Sequence, residues 1–188
     1  MINYNPDGKP IAKGMREDLE RYEGCGMQMF FAEGSAYLML EPGLVLDKLN
    51  TMLSSDMRKY LGQLKKEDEN IWAEDAGLMI PIQKVAERAV FWDKFARDVP
   101  NFVFIENAKA NLKTYTGTLM GGLDNTPAFE FSGKRKLDPA YKKTYEWIMK
   151  DHPELQTGKI IKEYYMMLKE TGFASNDKAR KYLERFWQ

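Results

Sequence analysis

Phe91-Trp92-Asp93-Lys94-Phe95-Ala96-Arg97-Asp98-Val99-Pro100 leads into a helical stretch that runs to Leu119. Thr144-Tyr145-Glu146-Trp147-Ile148-Met149-Lys150-Asp151-His152-Pro153 leads into a similar stretch that runs to Gly172. Shifting the first onto the second by 53 positions places Asp98 on Asp151, Pro100 on Pro153, Phe95 on Ile148, Ala108 on Ile161, Lys109 on Lys162 and Tyr115 on Leu168. Two helix-turn-helix units of one design predict an array built by stacking, which buries a core between neighbours and leaves surface for partners. The expected fold class is all-α, made of stacked antiparallel helix pairs.

Outward from these units the periodicity is helical. Ile82, Val85/Ala86, Ala89, Trp92 and Ala96 recur every three to four residues, with Pro81 either kinking this helix or marking its start. Ile105, Ala108, Leu112, Tyr115 and Leu119 continue a second stripe, which Gly121-Gly122 stops. Asp138-Pro139 supplies a cap and first-turn proline for a helix carrying Tyr141, Tyr145 and Ile148. Beyond Pro153, Ile161, Tyr164/Tyr165 and Leu168 form the next stripe, which ends at Gly172. Ser175, Asn176 or Asp177 caps a last helix with Ala179, Tyr182, Leu183 and Phe186 inward, and Trp187 closes this hairpin or docks onto a neighbour.

The first part of the chain is less regular. Residues 1–10 read as a flexible lead-in, 11–74 as an irregular helical portion and 75–188 as the hairpin portion, all in one continuous domain. Met15, Leu19 and Tyr22 mark a helix that stops at Gly24-Cys25-Gly26. Met27 to Leu40 is apolar on all sides and reads as a buried helix interrupted at Gly34, in preference to a pair of short strands. Glu41-Pro42 opens a helix with Val45/Leu46, Leu49 and Met52/Leu53 inward. Ser54 or Ser55 caps the next, with Met57, Tyr60/Leu61 and Leu64 inward.

Composition excludes several classes. The 188 residues carry 28 basic and 28 acidic side chains, so nucleic acid is not expected as the main partner. The first 94 residues hold 12 basic and 16 acidic groups and the rest the reverse, an asymmetry too mild for steering. Cys25 is the only cysteine, which excludes an intramolecular disulfide and a cysteine zinc site. No apolar run is long enough to span a membrane. The polar start, Met-Ile-Asn-Tyr-Asn-Pro-Asp-Gly-Lys-Pro, shows no signal peptide. It is similar to the lead-in left after a removed signal or anchor, so a periplasmic or secreted home is favoured over a cytoplasmic one.

The C-terminal third reads aromatic-x-x-aliphatic, Asp-x-Pro, then Ile161-x-x-Tyr164-Tyr165-x-x-Leu168-x-x-x-Gly172, then Ala179 in a following helix. This pattern resembles tetratricopeptide-type helical hairpins, particularly the divergent variety of bacterial envelope lipoproteins, over residues 78–188. Tyr145 to Tyr182 spans 37 residues, near the ~34 of that repeat. The 53-residue step becomes comparable if residues 121–137 are an insertion between hairpins. The resemblance implies paired helices and, by analogy, protein binding. Residues 1–75 lie outside it, and Lys109, Asn111 and Ile161 depart from its small-residue pattern.

Candidate chemistry is sparse. His152, the only histidine, precedes Pro153 and reads as a turn residue with a charged-state preference for a helix C-terminus rather than a general base. Cys25 lacks any Cys-His signature and reads as a buried or incidental thiol. No metal or cofactor is expected: Asp124-Asn125-Thr126 offers only the start of a calcium loop, and Gly24-x-Gly26 lacks the remaining glycines of a phosphate loop. Glu33 and Glu41 are carboxylates that would serve a hydrolase acting on glycans or peptidoglycan. Lys134-Arg135-Lys136, Lys142-Lys143 and Lys178-Arg180-Lys181, with Tyr141, Tyr145 and Trp147 among them, would serve a weak nucleic-acid binder. However, 17 of the 24 aromatics lie beyond residue 90 at core spacings, so most are packing.

The stretch 123–137 is the longest without helical period, and long loops inside compact domains tend to serve a purpose. Asp124 and Asn125 open it as turn formers, and Phe129 and Phe131 share a side if it is extended. The sequence therefore points to a non-catalytic interaction module, a monomer or weak homo-oligomer. It would bind another protein through its helical surface and the partner-binding candidates Asp124, Asn125, Phe129 and Phe131. A carboxylate hydrolase and a nucleic-acid binder are the alternatives.

Overall fold

The computed structural model describes residues 25–32, 35–131 and 133–188, and it is mostly helical with packed helix pairs, the all-α class expected. The chain divides into two units, Met1–Asn70 and Ile71–Gln188.

In the first unit, β1 (Met27–Ala32) pairs antiparallel with β2 (Ser35–Leu40), Met27 opposite Leu40 and Ala32 opposite Ser35. This corrects the helix expected over Met27–Leu40. A run that is apolar on all sides carries no 3.6-residue period, and its Phe and Tyr content favours a pleated strand. Gly26, at φ 80°, closes the hairpin by accepting from the Glu41 amide at 2.7 Å. The helix expected around Met15–Tyr22 lies outside the described residues.

Pro42 occupies the first turn of α1 (Pro42–Leu49), as expected. Its inward stripe does not continue, because Asn50–Met52 tighten into a 3₁₀ turn and leave Met52 81% exposed. Arg58 holds this break by donating to the Asn50 and Leu53 carbonyls. Ser54 Oγ then accepts from the Met57 amide at 3.1 Å and caps α2 (Ser55–Asp68), which buries Tyr60 and Leu61.

The second unit begins with a small hairpin, β3 (Ala73–Glu74) and β4 (Gly77–Leu78). Asp75 and Ala76 between them have φ 46° and 53°, the mirror-image turn that suits the twist of paired strands. The left-handed conformation costs a β-carbon-bearing residue about 1–2 kcal/mol. Glycine would relieve that strain and lose about 0.5–1 kcal/mol to chain entropy. Ala76 is exposed, so Ala76→Gly should stabilise the protein by about 0.5 kcal/mol, read as a higher urea midpoint at unchanged slope. A lower midpoint would show that the alanine methyl has a packing role.

Helix α3 (Ile82–Asp98) starts behind Pro81, which marks the start rather than a kink. Its inner face buries Val85, Ala86, Ala89 and Trp92 completely. Helix α4 (Ile105–Gly121) returns antiparallel after a six-residue connection and is stopped by Gly122 at φ 74°. A third hairpin, β5 (Gly122–Leu123) with β6 (Thr126–Pro127), follows. Asp138 caps α5 (Pro139–Asp151) by accepting from the Ala140 amide at 2.7 Å. Helix α6 (Gln156–Lys169) pairs with α5, and α7 (Asp177–Trp187) packs on α4 and α6. Of the three candidate caps for α7, Asn176 serves: its Oδ1 accepts from the Ala179 amide at 2.9 Å. Trp187 lies on α4 where a β-carbon on Gly117 would stand, so it packs within its own chain.

The two connections aligned in the sequence are alike in detail. The Val99 amide donates to Phe95 and the Phe102 amide to Val99, while His152 donates to Ile148 and Leu155 to His152. Each pair is related by the same 53-residue step, and Phe102 and Leu155 are both buried. The core between the pairs is Trp92, Leu119, Tyr145, Ile148, Ile161 and Leu168. Tyr145 donates its hydroxyl to the Leu119 carbonyl, and burial holds its pKa well above the usual phenol value.

Candidate functional site

Residues 128–131 and 133–138 form the two arms of a narrow antiparallel ribbon. Phe129 stands opposite Leu137, the Glu130 amide donates to Lys136 at 3.0 Å, and the Asp138 amide donates to Ala128 at 2.9 Å. The base is fixed because Ala128 and Leu137 are buried. The α6–α7 connection fastens the returning arm: Leu137 donates to Phe173 at 2.8 Å, and Ser175 donates to Arg135 at 3.0 Å. Phe173 itself has φ 65°, an uncommon conformation for a bulky residue. The Lys142 ammonium sits 4.4 Å from its ring centre and Tyr165 packs edge-on at 5.0 Å, which holds it there.

Below the ribbon, hairpin β5–β6 is locked to hairpin β3–β4. Thr126 Oγ1 accepts from the Leu78 amide at 2.8 Å, and the Asn125 amide donates to Ala76 at 2.9 Å. The Asn125 side chain donates to the Asp75 carbonyl. Burial, aided by Asp138, pushes the Tyr141 phenol up to about 12, and its hydroxyl reaches the Thr126 carbonyl at 3.4 Å.

The tip is different in character. Phe131 is 79% exposed, and Lys134, Arg135 and Lys136 are exposed beside it. Gly133 at φ 68° and Arg135 at φ 45° turn the chain at the tip. A rigid base thus carries one bare aromatic ring next to three cations. No family model, curated protein or solved structure matches the chain. The functional reading rests on these residues.

The four residues singled out in the sequence are placed unequally. Asp124 is exposed at the β5–β6 turn, whereas both Asn125 donor groups bond within the protein. Phe129 is half-buried and Phe131 exposed, so the two rings do not form one surface pair. Phe173 was not singled out, and Arg135 entered only within the basic triplet read for nucleic acid, although Gly133 two residues before it is a turn signal.

Among the other candidates, His152 ends α5 with its ring edge-on to Trp147 at 5.0 Å. Burial and then Lys94 lower its pKa, against the opposing Glu154 and Asp151, which corrects the charged-state preference expected of it. Cys25 is exposed, not buried. Glu33 lies outside the described residues. Glu41 lines a cavity of about 210 Å³ with Lys65, Asp68 and Glu69. Among the described residues no group of three or more His, Cys, Asp or Glu is placed to hold a metal ion, and no helix is long and apolar enough to cross a membrane. Of the basic groups, Lys142 covers Phe173, Lys178 pairs with Glu170 at 2.9 Å and Arg180 with Asp177 at 2.8 Å.

Proposed function

We propose that this chain is a non-catalytic protein-interaction module that docks through the ribbon tip, with Phe131 as the anchor. The observation that carries this reading is the 79% exposure of Phe131 on a ribbon whose base is buried and hydrogen-bonded on both arms. An aromatic ring held out by a rigid support loses little freedom on binding, and such residues, with arginine, dominate interface energetics. Lys134, Arg135 and Lys136 select a partner with an apolar pocket rimmed by acidic groups. The envelope or secreted setting implied by the tetratricopeptide-like resemblance belongs to the same proposal. The strained Phe173 supports it, because strain persists where surrounding contacts hold a segment in place.

The test is affinity capture from source-cell extract with the wild type and Phe131→Ala. The variant should lose about 2 kcal/mol or more of binding, the cost typical of an aromatic anchor. Its melting temperature should stay unchanged, since substitutions at exposed sites shift stability by about 0.5 kcal/mol or less. Phe129→Ala should instead lower the melting temperature, because that residue is half-buried within the paired base opposite Leu137. Identical protein sets retained by wild type and Phe131→Ala would overturn the assignment of the ribbon tip.

A further inference from the structure

The backbone of the ribbon is closed on one side and open on the other. On the returning arm, the Leu137 amide donates to Phe173 at 2.8 Å, the Arg135 carbonyl accepts from Ser175 at 3.0 Å, and Lys136 stands opposite Ala174. The outgoing arm, residues 128–131, has no such neighbour. In an antiparallel pair, alternate residues turn their N–H and C=O away from the strand they pair with. Glu130 turns inward, donating to Lys136 at 3.0 Å, and Ala128 turns inward, accepting from Asp138 at 2.9 Å. Phe129 lies between them, opposite Leu137, so both its backbone groups turn outward, and the Phe131 amide follows the same alternation. Among the described residues neither Phe129 nor Phe131 makes a backbone hydrogen bond.

An open edge of this kind is a template for one more strand, and proteins usually guard it with lysine or proline. Residues 128–131 read Ala-Phe-Glu-Phe and carry neither. The edge opens toward the tip: Ala128 is buried and Phe129 half-buried, while Glu130 and Phe131 are exposed. Orphaned amides inside a protein are rare, so the unpaired N–H groups here face water. The bare Phe131 ring therefore stands on a strand whose own backbone is unsatisfied by the protein.

Charge decides what can lie on that edge. Lys134, Arg135 and Lys136 are exposed on the adjoining arm. Glu130 is the carboxylate at the tip, and it stands across from Lys136, which offsets it. Asp138, at the base, is engaged by the Ala140 amide at 2.7 Å. Lys134 and Arg135 remain as an excess of positive charge beside the open edge. A second copy of the chain would bring the same cations against themselves, whereas an acidic chain is attracted. We infer that the outgoing arm accepts an extended, acidic segment of another protein as an added strand. Its backbone would bond the Phe129 N–H and C=O and the Phe131 N–H. The inference rests on docking through the ribbon tip and adds the form of the partner there: the acidic rim of its apolar pocket is an extended strand.

The probe is a blocked hexapeptide of alternating aspartate and valine, titrated into the full chain and followed by amide NMR and hydrogen exchange. Two controls run beside it: the same peptide N-methylated on its valines, and a lysine–valine peptide. Valines opposite Phe129 and Phe131 share their face and exchange bonds with them, so N-methylation removes those donors. The aspartate peptide should move the Phe129 and Phe131 amides downfield and slow their exchange, leaving the already bonded Glu130 and Asp138 amides in place. It should bind roughly three- to tenfold tighter than either control, the range expected for one hydrogen bond or exposed charge contact. Phe131→Pro lacks the amide and should bind the peptide more weakly than Phe131→Ala by the same factor. Their melting temperatures should agree, since proline is tolerated where an edge N–H faces solvent. No shift at the two amides at millimolar peptide, a control that binds as tightly, or self-association of the chain through the same amides would each overturn the added strand. A captured partner that is lost in Phe131→Ala, yet leaves both amides exchanging freely in its complex, would overturn the strand and keep the docking. Identical captured sets would remove the docking and the strand with it.

Discussion

Gly158→Ala should destabilise the protein by about 3 kcal/mol, the upper part of the range for an overpacked site. Helix propensity alone predicts the opposite sign, a gain of about 1 kcal/mol for alanine over glycine in a helix interior. The sign is reversed by what stands next to the first turn of α6. A β-carbon on Gly158 would lie 2.1 Å from the His152 carbonyl oxygen and 3.3 Å from Pro153 Cα, both backbone atoms. That carbonyl is also fixed, because its own residue donates to Ile148 and it accepts from Leu155. The α5–α6 connection therefore has no side chain to move aside and must shift as a whole, carrying buried Leu155 and Ile148 with it. Gly62 of α2 is the internal control, since a β-carbon there meets nothing within 4 Å. Gly62→Ala should raise stability by up to about 1 kcal/mol. Denaturant unfolding of both variants reads the two signs directly. A Gly158→Ala protein as stable as the wild type would mean that the connection yields without loss.

The helix pairs were legible in the sequence because their signals are local. Val85, Ala86, Ala89 and Trp92 encode an inner face by spacing alone, and the structure buries all four. Asp138, Asn176 and Gly122 end or start helices through atoms within a few residues of themselves. Where the local signal fell silent, the reading failed. Met27–Leu40 is apolar on every side, so neither period is written in it, and it became a hairpin. Met52 kept the spacing of α1, but the Arg58 bonds to Asn50 and Leu53 turn the chain there and leave it outside.

The candidate site was half legible. The absence of period over 123–137 located the loop, and Phe131 stands exposed in it. Its partner ring did not follow, because alternation holds only where the ladder continues. Phe129 lies opposite Leu137 within the paired base, whereas Phe131 lies beyond the Glu130–Lys136 bond at the tip.

Asp93→Ala should cost about 3 kcal/mol, because one carboxylate on α3 does the capping that α6 lacks. Helix α6 follows Leu155, which offers no side-chain cap. Asp93, 5% exposed and 64 residues away, reaches across so that Oδ2 accepts from the Thr157 amide at 2.6 Å. The bond is charge-assisted and sits at the positive end of the helix dipole, both of which strengthen it. Alanine would leave the buried Thr157 amide unpaired. Asparagine keeps an acceptor and loses the charge, so Asp93→Asn should cost only about 1 kcal/mol. Thermal unfolding of the two variants separates bond from charge, and hydrogen exchange at the Thr157 amide should speed up strongly in Asp93→Ala alone. Equal losses would place the whole effect in the charge, and no loss in either would remove Asp93 from the support of α6. A frayed α6 start would leave the ribbon tip, fastened beyond the far end of α6 through Phe173, with its binding intact.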